Sequence, residues 1–184
     1  GFPCWLDLQT VNLPDSVDFY SNLFGWKFRA TGPGAYTMAF RFGLPVAGFV
    51  QQAPEVAEST DVSAVWSPYF SVADADAAAA KITEAGGTVV VEPTYTAPDG
   101  RFLIASDPSG VMFRCWEPRG FAGAAVMGET ESLSVTELIT DTADKAQFFA
   151  SVFDLAIEPM GDDYALLKRD DAMSAGVLVR PDLQ

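Results

Sequence analysis

Two carboxylates stand out as candidates for acid–base chemistry, Asp7 and Glu137. Each sits within a strand-like stretch, Asp7-Leu8-Gln9-Thr10 and Glu137-Leu138-Ile139-Thr140, and the two stretches resemble one another. A carboxyl group in an apolar pocket has a raised pKa and can act as general acid or base. The same group can also simply accept a hydrogen bond from a neighbouring Ser, Tyr or Arg. Arg114 is the cationic candidate. Its guanidinium can grip a carboxylate or phenolate on a ligand, or form a structural ion pair with Asp7 or another acid. Trp5, Gln9, Tyr69, Met112 and Trp116 complete the set of candidate ligand-binding residues. Strand alternation places them on the same faces as Asp7 and Arg114. The aromatic members can stack on a planar ligand or fill the interior as core.

The chain has no histidine. That removes the commonest general base and the commonest transition-metal ligand. Ser-His-Asp and Cys-His mechanisms are excluded, as are His-based zinc and iron sites.

The elements that carry these residues follow a repeated rhythm of strand, helix and further strands. The first segment opens with a strand over 4–10. A helix begins at Pro14-Asp15-Ser16 and ends at Gly25, with Val17, Phe19, Tyr20, Leu23 and Phe24 as its apolar positions. Strands are expected around 27–30, 36–42 and 46–51, with turns at Gly32-Pro33-Gly34 and Gly43-Leu44-Pro45. The second segment has a strand over 66–72, an Ala-rich helix over 75–85 and the Gly86-Gly87 stop. Strands follow at 88–91, 101–105 and 111–116, the last two joined by Asp107-Pro108-Ser109-Gly110. The third has a strand over 134–140, a helix over about 143–153 and strands at 164–168 and 175–179. The first and third segments also match in residues: Phe19-Tyr20-Ser21-Asn22-Leu23-Phe24 parallels Phe148-Phe149-Ala150-Ser151-Val152-Phe153. The Gly residues near Gly32 lack the strand-to-helix context of a phosphate loop. Asp162-Asp163 and Asp170-Asp171 read as solvated turns.

Composition narrows the partners. The chain of 184 residues has 11 basic and 25 acidic side chains, a net charge of −14. Such a surface repels nucleic-acid phosphates and anionic lipid. No apolar run approaches the ~20 residues of a membrane helix. Cys4 and Cys115 form neither a disulfide framework nor a zinc knuckle, and two buried thiols fit a reducing cytoplasm. No signal-peptide pattern opens the sequence, and its start at Gly1 says little about targeting.

The βαβββ rhythm, with Asp18-Phe19-Tyr20 and Leu23-Phe24-Gly25-Trp26 in the first helix, resembles the vicinal oxygen chelate superfamily of glyoxalases, bleomycin-resistance proteins and extradiol dioxygenases. Ala85-Gly86-Gly87 and Asp107-Pro108-Ser109-Gly110 sit where that family carries AGG and DPDG. The resemblance implies a glyoxalase-like α+β fold, with tandem βαβββ modules pairing into incomplete-barrel cups. Residues 1–118 would form one two-module cup, 119–131 a Gly- and Ala-rich linker, and 132–184 a third module. A lone third module leaves a sheet face open, so a fourth module beyond these residues, or another chain as in a homodimer, is expected to complete it. The fourth module is the favoured expectation.

The resemblance also places the family's metal ligands. The first falls at Trp5, or at Cys4 with a different loop count, the second at Ser67, and the final carboxylate at Arg114. An indole, a hydroxyl and a guanidinium do not make a divalent-metal site. The expectation is therefore metal-free, cofactor-free binding of a small aromatic or apolar metabolite, as in the drug-sequestering members. The alternative is a metal-independent isomerase, cyclase or lyase of secondary metabolism using Asp7 as acid or base, with Arg114 stabilising negative charge. A glyoxalase or dioxygenase with an atypical carboxylate-and-water metal site is disfavoured by the composition.

Overall fold

A computed structural model describes residues 1–31, 36–53 and 63–182. The turn expected at Gly32-Pro33-Gly34 lies outside them. The fold is mixed α+β and dominated by strands, as expected, and the three segments fold as βαβββ modules. The first contains β1 (Pro3–Thr10), α1 (Leu13–Phe24), β2 (Lys27–Ala30), β3 (Thr37–Arg41) and β4 (Leu44–Gln51). The second contains β5 (Ala64–Ser71), α2 (Ala75–Glu84), β6 (Thr88–Thr96), β7 (Gly100–Ser106) and β8 (Met112–Pro118). The third contains β9 (Glu137–Thr140), α3 (Ala146–Phe153), β10 (Ala156–Pro159), β11 (Tyr164–Arg169) and β12 (Ala172–Val179).

Each module has one topology. Its opening strand runs parallel to its last strand, and the other neighbours are antiparallel. The orders are β2-β3-β4-β1, β5-β8-β7-β6 and β10-β11-β12-β9. The registers correspond: Asp7 faces Gly48, Tyr69 faces Arg114, and Glu137 faces Gly176.

Local chemistry sets the helix ends. Asn12 caps α1 by accepting the Asp15 N–H at 3.2 Å, Pro14 sits in the first turn, and Gly25 closes it in the left-handed region. Asp74 caps α2 by accepting the Ala77 N–H at 2.9 Å. The third helix departs from expectation. Residues Ala143–Lys145 form a 3-10 turn, and only Ala146–Phe153 is α-helical. Thr142 supplies no side-chain cap there, and a tight first turn replaces it.

Two further departures concern strands. β10 was not expected; it is short and mostly exposed, so its alternation is weak. β6 runs five residues beyond the expected 88–91, through Pro93. As the last strand in its order it tolerates a proline, and its register shifts along this stretch.

Packing divides the chain into two compact units. One comprises Gly1–Cys4, Tyr69–Ala122 and Val135–Gln184. Its core joins Phe70, Ile82, Leu103, Phe113 and Cys115 to Phe148, Phe149, Val152, Leu167 and Val177. Within it, α2 packs against α3. The other comprises Trp5–Pro68 and Gly123–Ser134, with Leu8, Trp26, Ala39, Val46, Ala47 and Phe49 as its core. The expected linker is anchored there: Glu131 accepts the Trp26 indole N–H through its carbonyl at 2.9 Å and pairs with Arg41 at 3.2 Å. Among the described residues, no helix is long and apolar enough to cross a membrane.

Candidate functional site

Alternation along β1 puts Leu8 into the apolar core and leaves Trp5, Asp7 and Gln9 on the opposite face. There Asp7 is only 3% exposed. Its Oδ1 accepts the Tyr36 hydroxyl at 2.8 Å and the Trp5 indole N–H at 2.9 Å. The same indole N–H reaches the Tyr36 oxygen at 2.9 Å, closing a three-membered hydrogen-bond ring. Gly48 makes this ring possible. A Cβ at that position would run into both the Tyr36 hydroxyl and the Asp7 carboxylate. Gln9, two residues along, is half-buried.

Tyr36 and Gly48 escaped the sequence reading. The signal was present: Tyr36 precedes Gly48 by twelve residues, and Tyr164 precedes Gly176 by the same twelve. Only the strand register shows what that spacing means.

The second module presents the opposite charge. Phe113 and Cys115 of β8 lie in the core, so Arg114 and Trp116 point to the other face, as does Tyr69 of β5. Arg114 is buried. Its Nη1 donates to the Tyr69 hydroxyl at 3.3 Å, and its guanidinium carbon lies 5.3 Å from the centre of the Tyr69 ring. Tyr69 meets Trp116 edge-on at 6.5 Å between centroids. Trp116 donates its indole N–H to the Phe121 carbonyl at 2.8 Å, which fixes the ring. Met112 shares the parity of Arg114 but lies at the exposed start of β8.

Glu137, on β9, is exposed. Burial, and then the nearby Glu137 carboxylate, raise the Tyr164 pKa. Gly176 lies beneath the pair, where a Cβ would strike the Tyr164 hydroxyl and sit 3.2 Å from Glu137 Oε1. The two cysteines are free and buried, and burial pushes both thiols up to about 12. They are poor nucleophiles at neutral pH. A groove of about 750 Å³ is lined by Lys81, Glu84, Asp107, Lys145 and Phe148 on the helix side of its unit. It contains none of the candidate residues.

The glyoxalase/bleomycin resistance protein/dioxygenase superfamily profile matches residues 5–115, more than half of the chain. The chain belongs to this superfamily. It is 33% identical over 190 residues to "Putative glyoxylase CFP32" of Mycobacterium tuberculosis (strain CDC 1551 / Oshkosh), across 98% of this chain and 72% of that protein. It is 32% identical over 161 residues to "Anthracycline biosynthesis protein DnrV" of Streptomyces peucetius, across 81% of this chain and 58% of that one. Among solved structures, the Mn(II)-bound glyoxalase from Novosphingobium aromaticivorans superposes with a TM-score of 0.72 at 16% identity, covering 97% of this chain and 62% of that one. The 2,3-dioxygenase LapB from Pseudomonas sp. KL28 gives 0.66 at 14% identity, covering 98% and 70%. These structural likenesses speak for the glyoxalase-like fold alone.

The superfamily's divalent metal does not fit the residues at its expected positions. The Trp5 ring offers an N–H donor that already points at Asp7 and Tyr36. Arg114 brings a permanent cation, and Ser67 a neutral hydroxyl. Among the described residues, no three Cys, Asp or Glu side chains are grouped to hold a metal ion.

Proposed function

We propose that this superfamily member binds a small planar aromatic metabolite by a mechanism that needs no metal ion. The observation that carries the reading is the Arg114–Tyr69–Trp116 wall. A buried guanidinium lies over one aromatic ring, and a second ring meets the first edge-on. Such a wall recognises an aromatic ligand bearing a carboxylate or phenolate, through charge and ring contact together. The name of the Streptomyces peucetius relative, an anthracycline biosynthesis protein, supports a polycyclic hydroxylated aromatic as the ligand class.

Titration with quinizarin, a planar dihydroxyanthraquinone, tests the proposal. Binding should saturate, leave the ligand chemically unchanged and be indifferent to EDTA. Arg114→Met should weaken it about tenfold, the scale of one lost charge-assisted hydrogen bond. Binding that requires added Mn(II), or none across a panel of hydroxylated polycyclic aromatics, overturns the reading.

A second reading is favoured by the Asp7 ring. A buried carboxylate whose Oδ1 takes two donors is held in one orientation, as a positioned proton acceptor requires. Asp7 would remove a proton from the ligand and return it at another atom, an isomerisation balanced within one molecule. Ligand conversion in EDTA that disappears with Asp7→Asn would favour this reading over simple binding.

A further inference from the structure

A clasp beyond the end of β8 decides how Trp116 is presented. The main chain after β8 is tied to the turn between β6 and β7. The Arg119 and Phe121 N–H groups both donate to the Asp99 carbonyl, at 2.9 and 3.0 Å, and the Gly120 N–H donates to the Pro98 carbonyl at 3.2 Å. Two glycines permit this approach. A Cβ on Gly100 would run into the Trp116 ring and the Glu117 carbonyl, and one on Gly120 would press on the Pro98 carbonyl at 3.0 Å. The Arg119 side chain adds an anchor, with Nη2 3.3 Å from Glu117 and the guanidinium carbon 5.4 Å from the centre of the Tyr95 ring. Held in this way, Phe121 meets the Trp116 indole twice. Its carbonyl accepts the indole N–H at 2.8 Å, and its ring stands edge-on with centroids 6.3 Å apart.

An indole has a single polar hydrogen, and the clasp takes it up. Trp116 can therefore offer a neighbour only carbon. The residues around it agree. Phe102 of β7 lies opposite Trp116 in register, and Ser71 of β5 lies beside it. Phe102, Ser71 and Phe121 carry no charge. Two residues along β8, about 6.6 Å away, the Arg114 guanidinium meets the Tyr69 hydroxyl. The wall thus has a cationic end at Arg114 and an uncharged, ring-lined end at Trp116.

Resting on the reading of this wall as a ligand site, we propose that Phe121 is a positioning residue that makes the site select aromatics anionic at one end only. Phe121 acts through Trp116. Its carbonyl takes the indole N–H out of the ligand's reach, and its ring closes the uncharged end. A ligand gripped by Arg114 lays its far edge against Trp116. A second anionic group at that edge loses its water and finds no donor, and an unpaired charge removed from water is strongly disfavoured.

The probes are 2-naphthoate and 2,6-naphthalenedicarboxylate, titrated against the full chain. They share one ring system and differ by a carboxylate at the far end. 2-Naphthoate should bind tighter by about tenfold or more. Phe121→Ala opens the far end to water, so the second carboxylate keeps its hydration. In that variant 2-naphthoate should weaken several-fold and the ratio of the two affinities should fall toward one. A merely structural role for Phe121 would weaken both ligands alike and leave the ratio unchanged, which overturns the proposal. Equal binding of the two ligands by the unsubstituted chain also overturns it, while leaving the Arg114 reading in place. A second readout needs no ligand. The Trp116 indole N–H, assigned by its loss from the NMR spectrum of Trp116→Phe, should exchange slowly with solvent. Rapid exchange would mean that the Phe121 carbonyl does not hold it, and overturns the proposal whether or not either ligand binds. If neither ligand binds although the N–H is protected, the Arg114 reading fails and the proposal falls with it.

Discussion

Phe19 and Leu23 on α1 are 57% and 54% exposed, whereas their counterparts on α3, Phe148 and Val152, are 7% and 4% exposed. The carboxylates run the other way. Asp7 is buried with Trp5 and Tyr36, while Glu137 is open. The first and third modules therefore share strand order, register, a helix-side core face and a carboxylate–tyrosine–glycine set, yet differ in which further surfaces are covered: the outer side of α3 and the carboxylate of β1. Their sequences are alike at the helix positions concerned. What differs is the neighbour: α3 has α2 and the Phe113 ring against it, with Phe148 and Phe113 centroids 5.9 Å apart. A hydrophobic position becomes core only when another element covers it.

The sharpest way to break this comparison is to truncate the matched phenylalanines. Phe148→Ala should cost about 3–5 kcal/mol of unfolding free energy, as a large core deletion does. Phe19→Ala should stay within about 0.5 kcal/mol, as surface changes do. Equal losses in denaturant unfolding would mean that α1 is covered as fully as α3.

The paired glycines come next. Gly48→Ala forces a methyl group into the buried Tyr36–Asp7 ring and should cost about 1–3 kcal/mol. Gly176→Ala meets the same tyrosine hydroxyl, but on an open face where Glu137 and Tyr164 can move aside. Its cost should be clearly smaller by the same unfolding measurement.

The helix ends give a smaller contrast. Gly25 and Asp154 close α1 and α3 in the same left-handed conformation. Gly25→Ala should cost about 1 kcal/mol, the penalty for a side chain there. Asp154→Gly relieves that penalty but removes an exposed ion pair to Lys81 at 2.6 Å. Because exposed pairs are weak, the net change should be a gain below about 1 kcal/mol.

The smallest effect concerns alkaline pH. The Tyr164 pKa is raised first by burial and then by Glu137. A raised folded-state pKa means that the folded chain holds the proton more tightly than the unfolded chain. The associated stability is present below the ordinary tyrosine value of about 10 and is lost as pH rises through the folded value. The Tyr164 ultraviolet titration, isolated by difference against Tyr164→Phe, should move toward the ordinary value in Glu137→Gln. An unchanged titration would remove Glu137 from the account.

Much of the frame was legible in the residues. The repeated helix motif identified the modules, and alternation sent Leu8, Phe113 and Cys115 to the core and Asp7, Arg114 and Trp116 to the other face. β10 was less legible because four mostly exposed residues ending in Pro159 carry little alternation. The expected linker was read from its Gly and Ala content, and at its end Glu131 bonds Trp26 and pairs with Arg41. Tyr36 and Tyr164 were missed because each approaches its carboxylate across an intervening strand, the one carrying Gly48 or Gly176, rather than along the chain.

The amino-acid sequence by itself determined the βαβββ modules, the sides of β1 and β8 that face the core and the lack of histidine chemistry. These follow from residue type and from periods of two and three to four residues, which act locally along the backbone. Tertiary structure decided that Asp7 lies within reach of Tyr36 over Gly48, that Arg114 lies against Tyr69, and that Phe148 is core while Phe19 is surface. Those outcomes depend on strand register and on which neighbour covers a face, and no local period encodes either.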